Sequence, residues 1–176
     1  GMAIFALEQT AGKGQRGKEW ITEKNANIIL SVLIQPAGFT INDQFKLSAC
    51  VAAAVHQFFS KYAGDHTIST ESIEESALAG TTKANAKNSA KNFKTTIKWP
   101  NDIYWQDRKA AGILIENAIG SGTGVQNPNS SSNWQWAVAG IGININQTVF
   151  APQLHNPVSL KQITGKNFDP VQLAKE

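Results

Sequence analysis

At 176 residues, 41% hydrophobic and 16% charged, the chain fits one water-soluble domain with a sizeable core and is short for two. No apolar run approaches the roughly 18 residues that cross a bilayer, so no membrane partner is expected. The net charge of +3 invites a nucleic-acid reading, but Lys83, Lys87, Lys91, Lys94 and Lys98 fall in a window without an acid and alone exceed that surplus. The basicity is therefore local, and no nucleic-acid partner is expected.

In chain order, Ala3–Leu7 reads as a short strand leading into glycines. Asn27–Ile34 is apolar on both parities and stops before Pro36, as a strand buried on two faces does. Asn42 or Asp43 caps a helix whose apolar residues Leu47, Val51, Val55, Phe58 and Tyr62 recur at helical spacing until Gly64. Cys50, the single cysteine, falls on that helix and reads as a small core residue. It allows no intrachain disulfide and suits a reducing compartment; with no targeting layout at the N-terminus, a cytoplasmic location is expected.

Two segments, Thr67–Asn92 and Gly120–Asn133, lack apolar content and read as surface insertions. Between them, Thr95–Trp99 and Ile103–Trp105 flank Pro100, and Ile103–Trp105 with Lys109–Glu116 form a hairpin around the turn Gln106–Arg108. The strand Trp134–Asn146 has two different faces. Its odd positions, Ala137, Ala139, Ile141, Ile143 and Ile145, make a core face; Gly140, Gly142, Asn144 and Asn146 make the other. Glycines there serve either close approach of a ligand or a tight crossing of backbone. Asp169–Glu176 begins a helix where the chain stops.

Gly12, Gly14 and Gly17 form a G-x-G-x-x-G, yet Lys18-Glu19-Trp20-Ile21-Thr22 follows and no helix opens, so the dinucleotide reading is rejected. What remains is a glycine loop carrying Lys13, Arg16 and Lys18: an anion cradle of backbone amides and cations, or a solvated loop. A second cluster, Lys98-Trp99-Pro100-Asn101-Asp102 followed by Lys109 and Gly112, gathers a turn, an amide, a carboxylate and a lysine. The histidines His56, His66 and His155 have no neighbours at metal-ligand or triad spacing, and no protein metal site is expected.

These residues reach a recognisable pattern. Gln9-Thr10-Ala11-Gly12-Lys13-Gly14 with Trp20, Lys98-Trp99-Pro100-Asn101-Asp102, Lys109 with Gly112, and Gly140-Ile141-Gly142-Ile143-Asn144 resemble the biotin–protein ligases in order and spacing. The resemblance implies an α+β fold, a mixed, largely antiparallel sheet backed by helices. It implies a single catalytic domain truncated at both ends, with Gly1 ahead of Met2 as an added residue. The activity implied is ATP-dependent adenylation of biotin and transfer to a lysine of a biotin carboxyl carrier protein. It further implies that Gln9, Gly12, Lys13, Gly14, Gln15, Gly112 and Gly140 hold biotin and its adenylate. Lys109 would be the catalytic residue, on the biotin carboxylate and the α-phosphate. Arg16, Trp99, Asn101, Asp102 and Asn144 would serve ATP, with Mg2+ arriving on the phosphates; a homodimer is compatible with it.

The chemistry asks for no protein nucleophile, because the substrate carboxylate attacks the α-phosphorus itself; the protein must position two anions that repel each other. Two features depart from the family pattern. Many members carry arginine where this chain has Gln15, and a Ser-Thr-Asn segment usual before the first strand is not in this chain. The rival readings are a lipoate or octanoate ligase or transferase, and a non-catalytic biotinyl-AMP-binding regulator. A transferase using a cysteine nucleophile needs one in a loop at the site, where Cys50 is not.

Overall fold

The structure, a computed structural model, describes residues 1–64, 94–120 and 134–176. Apart from Gly120, the two expected insertions lie outside those residues, as do His66 and Lys83, Lys87 and Lys91. Six strands, β1 (Met2–Phe5), β2 (Ile28–Ile34), β3 (Thr95–Lys98), β4 (Asp102–Trp105), β5 (Arg108–Ile119) and β6 (Trp134–Ile143), form one sheet in the order β1-β2-β6-β5-β4-β3. Every pairing in it is antiparallel, and the parallel component among the described residues is one isolated bridge, Lys109 with Pro157.

Register explains the two faces. Ile28, Leu30 and Val32 of β2 pair with Ile143, Ile141 and Ala139 of β6, which in turn pair with Ala111, Ile113 and Ile115 of β5. Side chains directly opposed in a ladder point the same way, so these rows make one apolar face. Helix α1 (Gln44–Ala63) covers it with Ala52, Val55 and Phe59, and Ile103, Ile145, Val158, Leu160 and Leu173 complete the core. Gly64 ends α1 at φ 77°, a left-handed cap that glycine takes without a Cβ clash. At the other end Asp43 accepts from the backbone N–H and hydroxyl of Thr40, both at 2.9 Å.

Several boundaries differ from expectation. Cys50 is exposed: it precedes Ala52 by two residues, roughly 200° around the helix, and so lies away from the buried stripe. Strand β5 runs past Glu116 to Ile119, and β6 ends at Ile143, with one more in-register bond from Asn144 N–H to the Ala110 carbonyl. The tail helix, α3, is confined to Pro170–Leu173, capped by Asp169. A helix not expected, α2 (Leu160–Thr164), starts at Ser159, whose hydroxyl accepts from Gln162 N–H while the Gln162 side chain accepts from Ser159 N–H.

A buried amide pair ties the segment after the glycine loop to the segment after β6. Asn27 accepts from Ile145 N–H at 3.0 Å and donates to Gln147 Oε1 at 2.6 Å. Gln147 also accepts from Glu23 N–H and donates to the Val149 carbonyl. Both side chains are buried. Replacing Asn27 with alanine leaves the buried Ile145 N–H without its acceptor and Gln147 Oε1 with Glu23 N–H as its remaining donor, which costs roughly 1–3 kcal/mol. Urea unfolding is therefore expected to show a lower midpoint at unchanged slope for Asn27→Ala.

Candidate functional site

Strict alternation along β5 puts Gly112 on the face opposite the core and Lys109 on the core side. The β4–β5 ladder prevents this. Asp102 pairs with Gly112 and Ile103 with Ala111, but Tyr104 pairs with Lys109: the register slips by one between Ile103 and Tyr104. A bulge of this kind re-aims a side chain. Ala110 becomes the extra residue and is buried beside Ala111, while Lys109 turns onto the glycine-bearing face with Asp102.

There Lys109 Nζ lies 2.7 Å from Asp102 Oδ1, both side chains partly buried. Asn101 donates its amide to the same oxygen at 3.0 Å. The Lys109 backbone is fixed on both sides, donating to the Asn156 carbonyl and accepting from Val158 N–H, each at 2.9 Å. Asn144 is buried, and its amide donates to the Val158 carbonyl at 3.1 Å and the Lys109 carbonyl at 3.4 Å. Expected at the ATP, Asn144 is thus bound to the backbone that carries Lys109, with its amide nitrogen so used.

The glycine loop is a small hairpin. Trp20 N–H donates to the Gly12 carbonyl at 2.9 Å, Lys13 bridges Glu19, and Gly14 N–H donates to the Lys18 carbonyl at 2.6 Å. Its tip is a 3-10 turn at Gln15–Gly17, in which Arg16 at φ 56° and Gly17 at φ 74° are left-handed. No helix follows, in agreement with rejection of the dinucleotide reading. Gly12 is sterically required: a Cβ there would stand 2.1 Å from the Trp20 carbonyl oxygen and 2.8 Å from Gln9 Oε1.

Between this loop and the sheet lies a cavity of about 620 Å³, walled by Gln9 to Gly14, Gly17 to Thr22, Leu114 and Glu116. Of the expected biotin residues it collects Gln9, Gly12, Lys13 and Gly14; Gln15 and Arg16 sit at the hairpin tip, outside its wall. Lys13, Arg16 and Lys18 form no ion pair among the described residues and leave the loop positively charged.

The close approach that the glycine face allows is made by the chain itself. Gly112 and Gly142 are cross-strand partners, and the Trp20 indole lies over both. Gly140, one pleat on, meets nothing closer than the Leu114 carbonyl oxygen at 3.4 Å. Lys109 Nζ sits 5.7 Å from the Trp20 ring centroid, within cation–π range. Trp20 thus lines the cavity and flanks Lys109, and it joins two groups that sequence had kept apart. Trp99 stands at the β3–β4 turn, 46% exposed, against the Phe45 ring at 4.6 Å between centroids. His56 Nε2 donates to the Thr95 carbonyl, and no group of three metal-ligating side chains occurs among the described residues.

The sequence matches the biotin/lipoate A/B protein ligase family over residues 1–126. Among curated proteins it is 33% identical over 116 residues to the bifunctional ligase/repressor BirA of Escherichia coli (strain K12), covering 66% of this chain and 27% of that one. It is 31% identical over 123 residues to a biotin–[acetyl-CoA-carboxylase] ligase of Paracoccus denitrificans, covering 70% and 39%. The chain therefore spans well under half the length of these relatives. The fold matches the biotin protein ligase of Aquifex aeolicus solved with biotin and ATP, with TM-score 0.63 and 23% identity over 98% of this chain and 55% of the other. It also matches the Leishmania major biotin protein ligase solved with biotinyl-5-AMP, with TM-score 0.63 and 23% identity over 98% and 60%.

Gly12→Ala tests the loop geometry without reference to activity. Because the added methyl collides with main chain, amide exchange at Gly14 and Trp20 is expected to quicken about tenfold or more, with β5 and β6 amides unchanged. Unaltered exchange at Gly14 and Trp20 would refute this packing.

Proposed function

The chain belongs to the biotin/lipoate A/B protein ligase family, and on that premise we propose that it adenylates biotin and hands the biotinyl group to a lysine of a biotin carboxyl carrier protein. One observation carries the reading. A partly buried lysine is turned out of core register and stands beside the same indole that walls a cavity with both polar and apolar sides.

The cavity's chemistry suits a bicyclic ureido ring on an apolar chain. The Gln9 amide both donates and accepts, as the ureido group does, and Leu114, Ile21 and the Trp20 ring offer apolar surface. The carboxylate then points toward Lys109, whose ammonium offsets its charge and that of the α-phosphate. Biotin's carboxylate oxygen attacks the α-phosphorus, and pyrophosphate leaves. In the second step, the neutral amine of the carrier lysine attacks the acyl carbon of the mixed anhydride, and AMP leaves. The lysine and the loop amides act by positioning and by stabilising charge, and no covalent bond to the protein is needed.

Asp102 is paired with Lys109 at 2.7 Å, so the approach of an anion competes with a carboxylate already present. The Asp102 carboxylate and the Asn101 amide oxygen are hard donors of the kind Mg2+ takes when most of its ligands are phosphate and water. These two residues would hold Mg2+ carried in by the nucleotide, and the ion supplies neutralisation of the phosphate charge. We assign Trp99 and Arg16 to the nucleotide, with Lys13 and Lys18 adding positive charge on the loop. A cytoplasmic site of action suits an enzyme that needs ATP and a carrier, and a reducing compartment suits the single unpaired cysteine. Among the described residues, no helix is long and apolar enough to cross a membrane.

Incubating the full-length protein with ATP and a carrier domain, with either biotin or lipoate, and reading the carrier by intact mass tests this directly. One biotinyl addition is expected. Lipoyl labelling without biotinyl labelling would sink the reading.

A further inference from the structure

Gly142 belongs to none of the contacts through which biotin or ATP enters the reading above, yet it is one of the most tightly constrained glycines in the sheet. A Cβ on it would stand 2.4 Å from Trp20 Cε2 and 2.6 Å from both Cζ2 and Nε1. On its cross-strand partner Gly112, a Cβ would stand 3.0 Å from Trp20 Cζ3 and 3.5 Å from Lys109 Cε. One indole therefore fills the volume of two absent side chains. Its benzo edge shares the space over Gly112 with the Lys109 stem.

We propose that Trp20 is a positioning residue for Lys109, seated by the Gly112–Gly142 pair; this rests on the functional reading above. Three observations support it. Lys109 is held between two groups, the Asp102 carboxylate at 2.7 Å and the Trp20 ring at 5.7 Å, and Asp102 itself pairs with Gly112 across β4 and β5. Removing the ring leaves the ammonium to the carboxylate alone. Secondly, Trp20 Nε1 is buried without a hydrogen-bond partner, so the indole is placed for its ring and at a penalty to its N–H. Thirdly, Trp20 is tied to the loop by its N–H to the Gly12 carbonyl, and it lines the cavity. Seating of the loop and aim of the lysine are one packing event, so a substrate that orders the loop also sets the lysine.

Gly142→Ala removes the seat without altering Trp20 or Lys109, and two further variants alter the ring itself. Gly142→Ala evicts the ring, Trp20→Leu deletes it, and Gly142→Ala with Trp20→Phe gives a smaller ring room beside the added methyl. The first readout is spectroscopic and independent of activity. The ε-methylene protons of Lys109, assigned through Lys109→Met, are expected upfield of the other lysines under the indole ring current. That shift is lost in Gly142→Ala and Trp20→Leu. The second is the single-turnover rate of biotin adenylation by the full-length protein. Each of these two variants is expected to lose about five- to tenfold or more, biotin affinity falling less, with the double variant recovering part of the loss. In a Lys109→Met background, Gly142→Ala and Trp20→Leu are expected to change the residual rate by less than about twofold, because their effect runs through the lysine. An unmoved Lys109 signal, or losses that multiply undiminished in the Lys109→Met background, would overturn the proposal. A parent protein with the ring-current shift but no biotin adenylation overturns the functional reading and leaves this seating intact.

Discussion

Between Ile103 and Tyr104 the ladder slips by one residue, and the site exists because of that slip. A lysine left in core register on β5 would bury an ammonium among Ala111, Ile113 and Ile103, far more than the fold can absorb. The bulge exchanges that position for Ala110, a side chain small enough to enter the core, and gives Lys109 to the open face. The distortion is held from behind. Asn144 bonds the Lys109 and Val158 carbonyls, and backbone bonds to Asn156 and Val158 pin Lys109 itself. A charge needed at one spot to within a fraction of an ångström thus stands on sheet and not on loop.

The glycine face has a comparable economy. Gly112 and Gly142 empty the sheet surface beside Lys109, and the loop answers with the Trp20 indole. Below the indole is core sheet; beside it are the lysine and the cavity. Electrostatically the region is poised for anions. Lys109 is matched by Asp102, while Lys13, Arg16 and Lys18 on the loop are unmatched among the described residues and draw negative charge toward the cavity. The buried Asn27–Gln147 pair joins Glu23, soon after this loop, to Val149, after β6, so the two segments around the site share one polar anchor.

Much of this was legible from local pattern. The order of motifs pointed to the family, period-two alternation separated the apolar and glycine faces of β6, and helical spacing with Gly64 bounded α1 to within a residue or two. What escaped was mostly non-local. A bulge depends on which residue of β4 meets which of β5, and nothing near Lys109 announces it. The pairing of Gly112 with Gly142, and so the Trp20 seat, needs strand order, which alternation does not contain. The resemblance gives Asn144 a role at ATP, and what strand pattern does not contain is that its amide nitrogen also bonds the Lys109 and Val158 carbonyls. By contrast, α2 is legible in the sequence, because Ser159-Leu160-Lys161-Gln162 is a capping box. The buried stripe of α1 is Ala52, Val55 and Phe59, turned round from the apolar positions Leu47, Val51, Val55, Phe58 and Tyr62 that the spacing suggests, and this leaves Cys50 outside.

Lys109 is the charge proposed to stabilise the adenylation transition state. The most direct measurement is biotin-dependent exchange of labelled pyrophosphate into ATP by the full-length protein and by Lys109→Ala, with biotin affinity measured alongside. A loss of exchange of about 10²–10³-fold is expected, typical of removing one preorganised electrostatic group, with biotin affinity falling much less. Exchange in Lys109→Ala within about threefold of the parent would contradict it.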